Sequence, residues 1–161
     1  MSEQVRRDER LMVMLAVSVI VHDQTNGRVV LLRRGENKAF EPGMWSLPSG
    51  KGAPGEPITH TAVRELHEET GIKVEPEALR LVHVTHSAHS PDAPEGFVVL
   101  VFAAREWDGD PVNAEPGKHS AMAWVDTDDL PSGFVPSTRY ALQRYLAGDY
   151  PEVAVDGWGD V

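Results

Sequence analysis

An α+β or layered α/β/α fold is what this sequence predicts, and three observations carry that expectation. Apolar runs of strand length recur at 11–21, 28–34, 79–86 and 97–104. Two segments, 58–70 and 136–147, have helical patterning. Strands and helices are mixed without strict alternation, which is the pattern of that class.

Each element has a local reason. Leu11 to Val21 (LMVMLAVSVIV) is a nearly continuous apolar run behind Arg6, Arg7 and Arg10, superficially like a secretory leader. It falls short of the roughly 20 apolar residues that cross a bilayer. Asp8 and Glu9 dilute the basic flank, and Val13, Val17, Val19, Ile20 and Val21 have the β-branched content of a buried strand. A strand and a cytoplasmic protein, away from membranes, are expected. Asp23 to Gly27 is turn chemistry, with Asn26-Gly27 the hairpin signal, so Arg28 to Arg34 pairs back on the first strand. Gly35 to Gly55, rich in Gly and Pro, reads as loop with a short strand near Trp45. Ile58 to Thr70 is a helix closed by Gly71. Leu79 to His86 and Phe97 to Ala104 are strands joined by the polar loop Ser87 to Gly96, and Met122 to Val125 is a short strand. Pro136 to Ala147 is the second helix, with Tyr140, Tyr145 and Leu146 available for packing. From Asp149 onward the chain carries four acids and no base, and reads as a peripheral tail of one domain spanning 1–161.

Composition narrows the function. The 161 residues include no cysteine, which excludes a disulfide framework, a Cys-ligated zinc, an iron–sulfur cluster and a thiol nucleophile. Fifteen Lys and Arg against 25 Asp and Glu leave a charge of −10, which argues against long nucleic acid as a partner. A small phosphorylated ligand remains open, because a metal can supply the positive charge.

Residues 50–72, GKGAPGEPITHTAVRELHEETGI, hold the chemical information. At about 100° per residue, Glu65, Glu68 and Glu69 share one helical face, while Val63 and Leu66 lie on a separate stripe that can pack on a sheet. Three clustered carboxylates repel one another, and the nearest lysine, Lys73, lies beyond Gly71. One reading is a solvated acidic face; the other is a site for a hard divalent cation such as Mg²⁺, which takes oxygen ligands and bridges to phosphates. Repulsion implies that neutralising one of the three raises stability without metal. Arg64, four residues before Glu68, can fix a carboxylate by a bidentate pair. Gly50, Gly52 and Gly55 permit close backbone approach to a metal or phosphate. Glu56 stands just before the helix, where the dipole favours a carboxylate.

The stretch matches, at every defined position, the Nudix box G-x5-E-x7-R-E-U-x-E-E-x-G-U, with U aliphatic. The positions are Gly50, Glu56, Arg64, Glu65, Leu66, Glu68, Glu69, Gly71 and Ile72. Trp45 to Ser49 resembles the family's approach to the box, with Ser49 where glycine is more usual. The resemblance implies an α/β/α sandwich with a mixed central sheet, and hydrolysis of a nucleoside diphosphate linked to another group, X. It further implies Mg²⁺ or Mn²⁺ held by Glu65 and Glu69, with Glu56 supporting, Gly50 contributing its carbonyl, and Arg64 orienting the glutamates. Glu68 is then a further ligand or the general base, and the base role is preferred.

Outside the box, Phe97 to Trp107, Asn113 to Lys118, Ala123 to Val125 and Asp129 to Pro131 resemble MutT-like members, which hydrolyse nucleoside triphosphates or their damaged forms. Glu115 lies where such enzymes place a further glutamate near the metals. A (d)NTP or modified (d)NTP, giving monophosphate and pyrophosphate, is therefore the leading substrate expectation. ADP-ribose hydrolases of the family often carry a proline downstream of the box, and none occurs between Pro76 and Pro91. ADP-ribose and nucleotide sugars stay as alternatives, as does a non-catalytic nucleotide sensor. The fold-sharing isopentenyl diphosphate isomerases rely on a cysteine that this chain lacks. Arg34 is a candidate for a phosphate contact. Trp45, Phe40, Phe102 and Trp124 are aromatic candidates for stacking on a base, with Trp45 taken as the substrate contact. His83, His86 and His89, three apart on a strand, alternate faces and make a poor zinc site. His67 is expected to face solvent. A homodimer is left open.

Overall fold

The structure, a computed structural model, describes residues 10–159; the basic and acidic flank Arg6 to Glu9 lies outside them. Two long strands, β1 (Met14–Asp23) and β6 (Phe97–Ala104), run parallel in the middle of a mixed sheet. β2 (Arg28–Arg34) returns from the Asn26-Gly27 turn and pairs antiparallel with the end of β1. β3 (Trp45–Ser46) and β7 (His119–Asp126) both pair with β2. β4 (Ser49–Lys51) pairs with the first half of β1, and β5 (Arg80–Ser87) lies antiparallel to β6. The helices are α1 (Ile58–Thr70) and α2 (Pro136–Leu146), with a 3₁₀ turn at Pro76–Ala78.

The period-2 alternation of the central strands builds the two faces. Val17, Val19 and Val21 of β1 join Phe102 and Ala104 of β6 under Ala62 and Leu66 of α1. Ile20 of β1 joins Val101 and Ala103 of β6 under Ala141, Leu142 and Tyr145 of α2. A strand that feeds both faces must be apolar throughout, which is why the first run is continuous and resembles a leader. No helix among the described residues is long and apolar enough to cross a membrane.

Two expectations on extent are corrected. The short strand at 122–125 is the middle of the eight-residue β7, which begins at His119. The expected peripheral tail contributes β8 (Glu152–Asp156), parallel to β5 at the sheet edge. Its alternation is inverted, with Val153 and Val155 exposed, so hydrophobic patterning gives no strand signal there. Polar side chains dock it: Glu152 accepts from Tyr140 Oη at 2.9 Å and from Arg144 Nε at 2.9 Å. Those bonds, the Tyr140 hydroxyl first, hold the Glu152 carboxyl below its ordinary value of 4.5. A depressed folded value gives stability that is complete above the ordinary carboxylate range and is lost as pH falls through the folded value. Amide protection within 152–156, taken relative to the intrinsic exchange rate, is therefore expected to fall below about pH 4.5, and Glu152→Gln to remove that dependence; an acid response unaltered in the variant would refute the docking account.

Candidate active site

The box helix owes its position to its apolar stripe and its ends. Ala62 and Leu66 are fully buried under the sheet, which turns Glu68 outward and leaves Glu65 largely covered at the edge of that face. Gly71 takes a left-handed φ of 76° and returns its N–H to His67 O at 2.8 Å, ending the helix as the sequence predicts. The carbonyls left over at that end do not face water. Thr70 O accepts from Val112 N–H at 2.9 Å and Glu69 O from Ala114 N–H at 3.1 Å. This clips the loop before β7 onto α1 and brings Glu115 and His119 to the carboxylates.

Arg64 sits at the centre of the acidic face. It donates to Glu56 from Nε at 2.8 Å and Nη2 at 3.0 Å, and from Nη1 to Glu65 at 2.8 Å and Glu68 at 3.3 Å. Nη2 also reaches Lys51 O at 3.2 Å. The Arg64 guanidinium, helped by Thr61 Oγ1, holds the Glu56 carboxyl down at about 2. The same bonds push the Arg64 value above its already high range. Glu65 is shifted the other way, because burial outweighs its bond to Arg64. Glu69 and Glu68 still push the Glu65 value up, and one fork-shaped donor offsets that repulsion where lysines are missing.

Glu69 is the buried member, 4% exposed. Its Oε1 accepts the Ser49 N–H at 3.0 Å, and its Oε2 meets His119 Nε2 at 3.0 Å. Burial, the largest influence, pushes its carboxyl value up against the opposing pull of His119 and Ser49. His119 escaped the sequence reading, since it lies 50 residues beyond Glu69 and outside any spacing motif. It arrives through the β2–β7 register, which sets it opposite Arg34.

A side chain at Gly50 would force Glu65 to move: an added Cβ would stand 2.0 Å from Glu65 Cδ and 2.3 Å from Glu65 Oε2. Gly50→Ala is therefore expected to displace Glu65 and cut activity by about 100-fold, since small misplacements of reacting groups cost that much. Near-normal kinetics in that variant would show that Glu65 has freedom the geometry denies it.

Glu115 approaches Glu69 closely enough to raise its pKa, and pairs through Oε2 with Lys118 at 3.1 Å. Its Oε1 is buried without a hydrogen-bond partner. Arg34 donates from Nε to Phe40 O at 2.8 Å, stacks 5.4 Å from the Phe40 ring, and feels the Glu69 charge. Trp45 is placed elsewhere. It packs against the core under α2, and its backbone bonds Gly133 and Val135 to anchor the start of that helix. Phe40 and Phe97, with Arg34, line the cleft that opens beside Ser49 and Gly50, and Trp45 does not. The exposed aromatic of the cleft is thus Phe40. His67 is exposed as expected, and His83 is a core residue.

Among the described residues no three acidic or histidine side chains converge into a ready cation cage. Arg64 and His119 hold the oxygens that a cation would share. The donor set nonetheless suits a hard divalent ion: all of it is oxygen, Glu65 Oε2 faces the Gly50 backbone, and Glu115 Oε1 is orphaned.

A mixed sheet between two helices, with a fork of glutamates held by one arginine beside a glycine strand, defines a protein of the Nudix fold. The family model for the NUDIX domain matches residues 12–145, and the chain belongs to the Nudix family. It is 32% identical over 123 residues to an isopentenyl-diphosphate Delta-isomerase of Cutibacterium acnes, covering 72% of this chain and 61% of that one. It is 33% identical over 120 residues to the NAD-capped RNA hydrolase NudC of Chromobacterium violaceum, covering 74% of this chain and 42% of that one. The chain thus spans less than two thirds of the length of either relative. The crystal structure of a MutT NUDIX hydrolase from Burkholderia pseudomallei aligns with TM-score 0.71 and 33% identity, over 82% of this chain and 97% of that one.

Proposed function

We propose that the chain hydrolyses the diphosphate bond of a nucleoside diphosphate linked to a second group, with a (d)NTP or modified (d)NTP as leading substrate and monophosphate and pyrophosphate as products. The observation that carries this reading is the complete set of box carboxylates gathered around Arg64 and continued by Glu69 and Glu115. A binding module has no need of the whole set. Likeness to a MutT hydrolase over nearly all of that enzyme's length supports the triphosphate over larger substrates.

Glu65, Glu69 and the Gly50 carbonyl would hold a divalent cation, with Glu56 and Glu115 in support; Mg²⁺ and Mn²⁺ both suit the oxygen set. When bound, the cation withdraws charge from the diphosphate oxygens and acidifies water. Arg64 keeps Glu65 and Glu68 in one orientation. Glu68 is held through Oε2 and leaves Oε1 to take the proton of the attacking water. His119 and the Ser49 amide fix both oxygens of Glu69. Arg34, at the cleft, meets a phosphate oxygen.

The isomerase relative brings isomerisation of a prenyl diphosphate into view, and the lack of cysteine in this chain opposes it. The capped-RNA relative favours a second reading, hydrolysis at an RNA 5′ end, which the charge of −10 opposes for long RNA. A panel of dNTPs, oxidised dNTPs, ADP-ribose, nucleotide sugars and a short capped RNA, with Mg²⁺ or Mn²⁺, tests these readings. Pyrophosphate with monophosphate from a triphosphate is the expected result. Nucleotide binding without any turnover would overturn hydrolysis in favour of a sensor.

A further inference from the structure

The cleft beside the box runs along the α2 face of the sheet, and its polar lining is almost wholly hydroxyl. For the two hydrogen-bonded hydroxyl pairs the direction of the proton follows from the further partner that each pair has. Ser49 Oγ donates to Leu47 O at 2.9 Å, which uses its single proton. In the 2.7 Å contact between Ser18 Oγ and Ser49 Oγ the donor is therefore Ser18. Likewise Thr138 Oγ1 donates to Val135 O at 3.1 Å, so Ser46 Oγ is the donor in its 3.3 Å contact with Thr138. Both relays end on backbone carbonyls, Leu47 O and Val135 O. Ser18 and Ser46, 1% and 6% exposed, have no proton left to give and two lone pairs each to offer.

The remaining polar groups stand at the ends of the cleft. Thr85 and Ser137 lie where it borders the neighbouring groove along β8, and they also line that groove. Arg34 and Lys51 lie toward the box, Lys51 paired with Asp92. Between these ends the floor is apolar surface from Val99 and Val101 with acceptor oxygens set into it.

A site of this kind distinguishes ligands by the sign of the group it meets. An exocyclic amine brings two N–H donors to the lone pairs. A carbonyl in the same position sets lone pairs against lone pairs, and a serine must break an internal hydrogen bond to greet it. Resting on the nucleotide reading above, we propose that Ser18 and Ser46 make this a cleft for amino-bearing bases, selecting adenine or cytosine over hypoxanthine or uracil. Both serines arise from strand pairing: Ser18 stands directly across from Ser49 in the β1–β4 ladder, and Ser46 faces Leu32 from β3. Ser49, where the family more often has glycine, is what absorbs the Ser18 proton.

Calorimetric titration of the full chain with AMP against IMP, and CMP against UMP, in Mg²⁺ buffer reads the preference without turnover. Each pair differs along one edge, where the exocyclic amine becomes a carbonyl and the adjacent ring nitrogen gains a proton. The amino member is expected to bind about tenfold tighter, and a Ser18→Ala, Ser46→Ala double variant to bring the ratio near one. Equal affinities, a reversed order, or a ratio unchanged in the double variant would overturn the assignment, and the wild-type ratio alone decides it should the variant fail to fold. Turnover of triphosphates without a base ratio sinks this inference and leaves the hydrolase. A base ratio without turnover does the opposite, and absence of all nucleotide binding removes both.

Discussion

Glu69→Gln is expected to lower turnover by at least about 100-fold while leaving the metal-free protein as stable as the wild type or more so. The two halves of that result have separate causes. Activity falls because a charged oxygen ligand is replaced by a neutral amide beside the bond to be cleaved. Stability holds because the charge is a burden in the metal-free fold: the carboxylate is buried and its value is raised by that burial.

The sign follows from linkage. A carboxyl whose folded value lies above its unfolded value resists ionising in the fold, so its penalty grows as pH rises through that interval and is complete above it. Glutamine removes the penalty and keeps an oxygen for the Ser49 N–H. Its amide NH₂ then meets His119 Nε2, which serves as acceptor once the ring proton moves to Nδ1, an atom now without a partner. The midpoint of thermal unfolding in EDTA near neutral pH is expected to rise in the variant. The gain should shrink as pH falls toward the ordinary carboxylate range. A fall of several degrees instead would mean that His119 and Glu69 form a pair the fold depends on.

The fold was legible in the sequence wherever burial imposes a period. The apolar runs from Arg28 and Phe97 coincide with β2 and β6, and those from Leu11 and Leu79 lie within three residues of β1 and β5, because their side chains fill the two faces of the sheet. β8 was not legible, since Val153 and Val155 point to solvent and its docking rests on Glu152, Tyr140 and Arg144. In the site, Glu56 and the residues from Arg64 to Glu69 are local, and helical spacing alone puts three carboxylates on one face. Glu115 was visible only through a resemblance. His119 depends on strand register across 50 residues, and an aromatic such as Trp45 next to a glycine-rich loop has the same composition whether it meets a ligand or a helix.

Arg64→Lys is expected to be nearly as damaging as loss of a ligand, with kcat down by about 100-fold, although the charge is conserved. Arg64 does three jobs with one rigid plane: a two-pronged grip on Glu56, single bonds to Glu65 and Glu68, and a bond to Lys51 O. A lysine ammonium is one point on a flexible stem and cannot span them. The acid limb of the stability profile provides a second reading. With Arg64 in place, Glu56 sits at about 2, so the stability it brings is complete above its ordinary 4.5 and is lost as pH falls toward 2. Lysine should move acid unfolding to higher pH. Arg64→Met goes further, leaving three carboxylates without a counter-charge, and there Mg²⁺ should raise the melting temperature more than it does in the wild type. That larger rise without restored turnover would separate charge neutralisation, which the ion can supply, from orientation, which Arg64 supplies. Wild-type kinetics and an unmoved acid limb in Arg64→Lys would show that charge alone suffices.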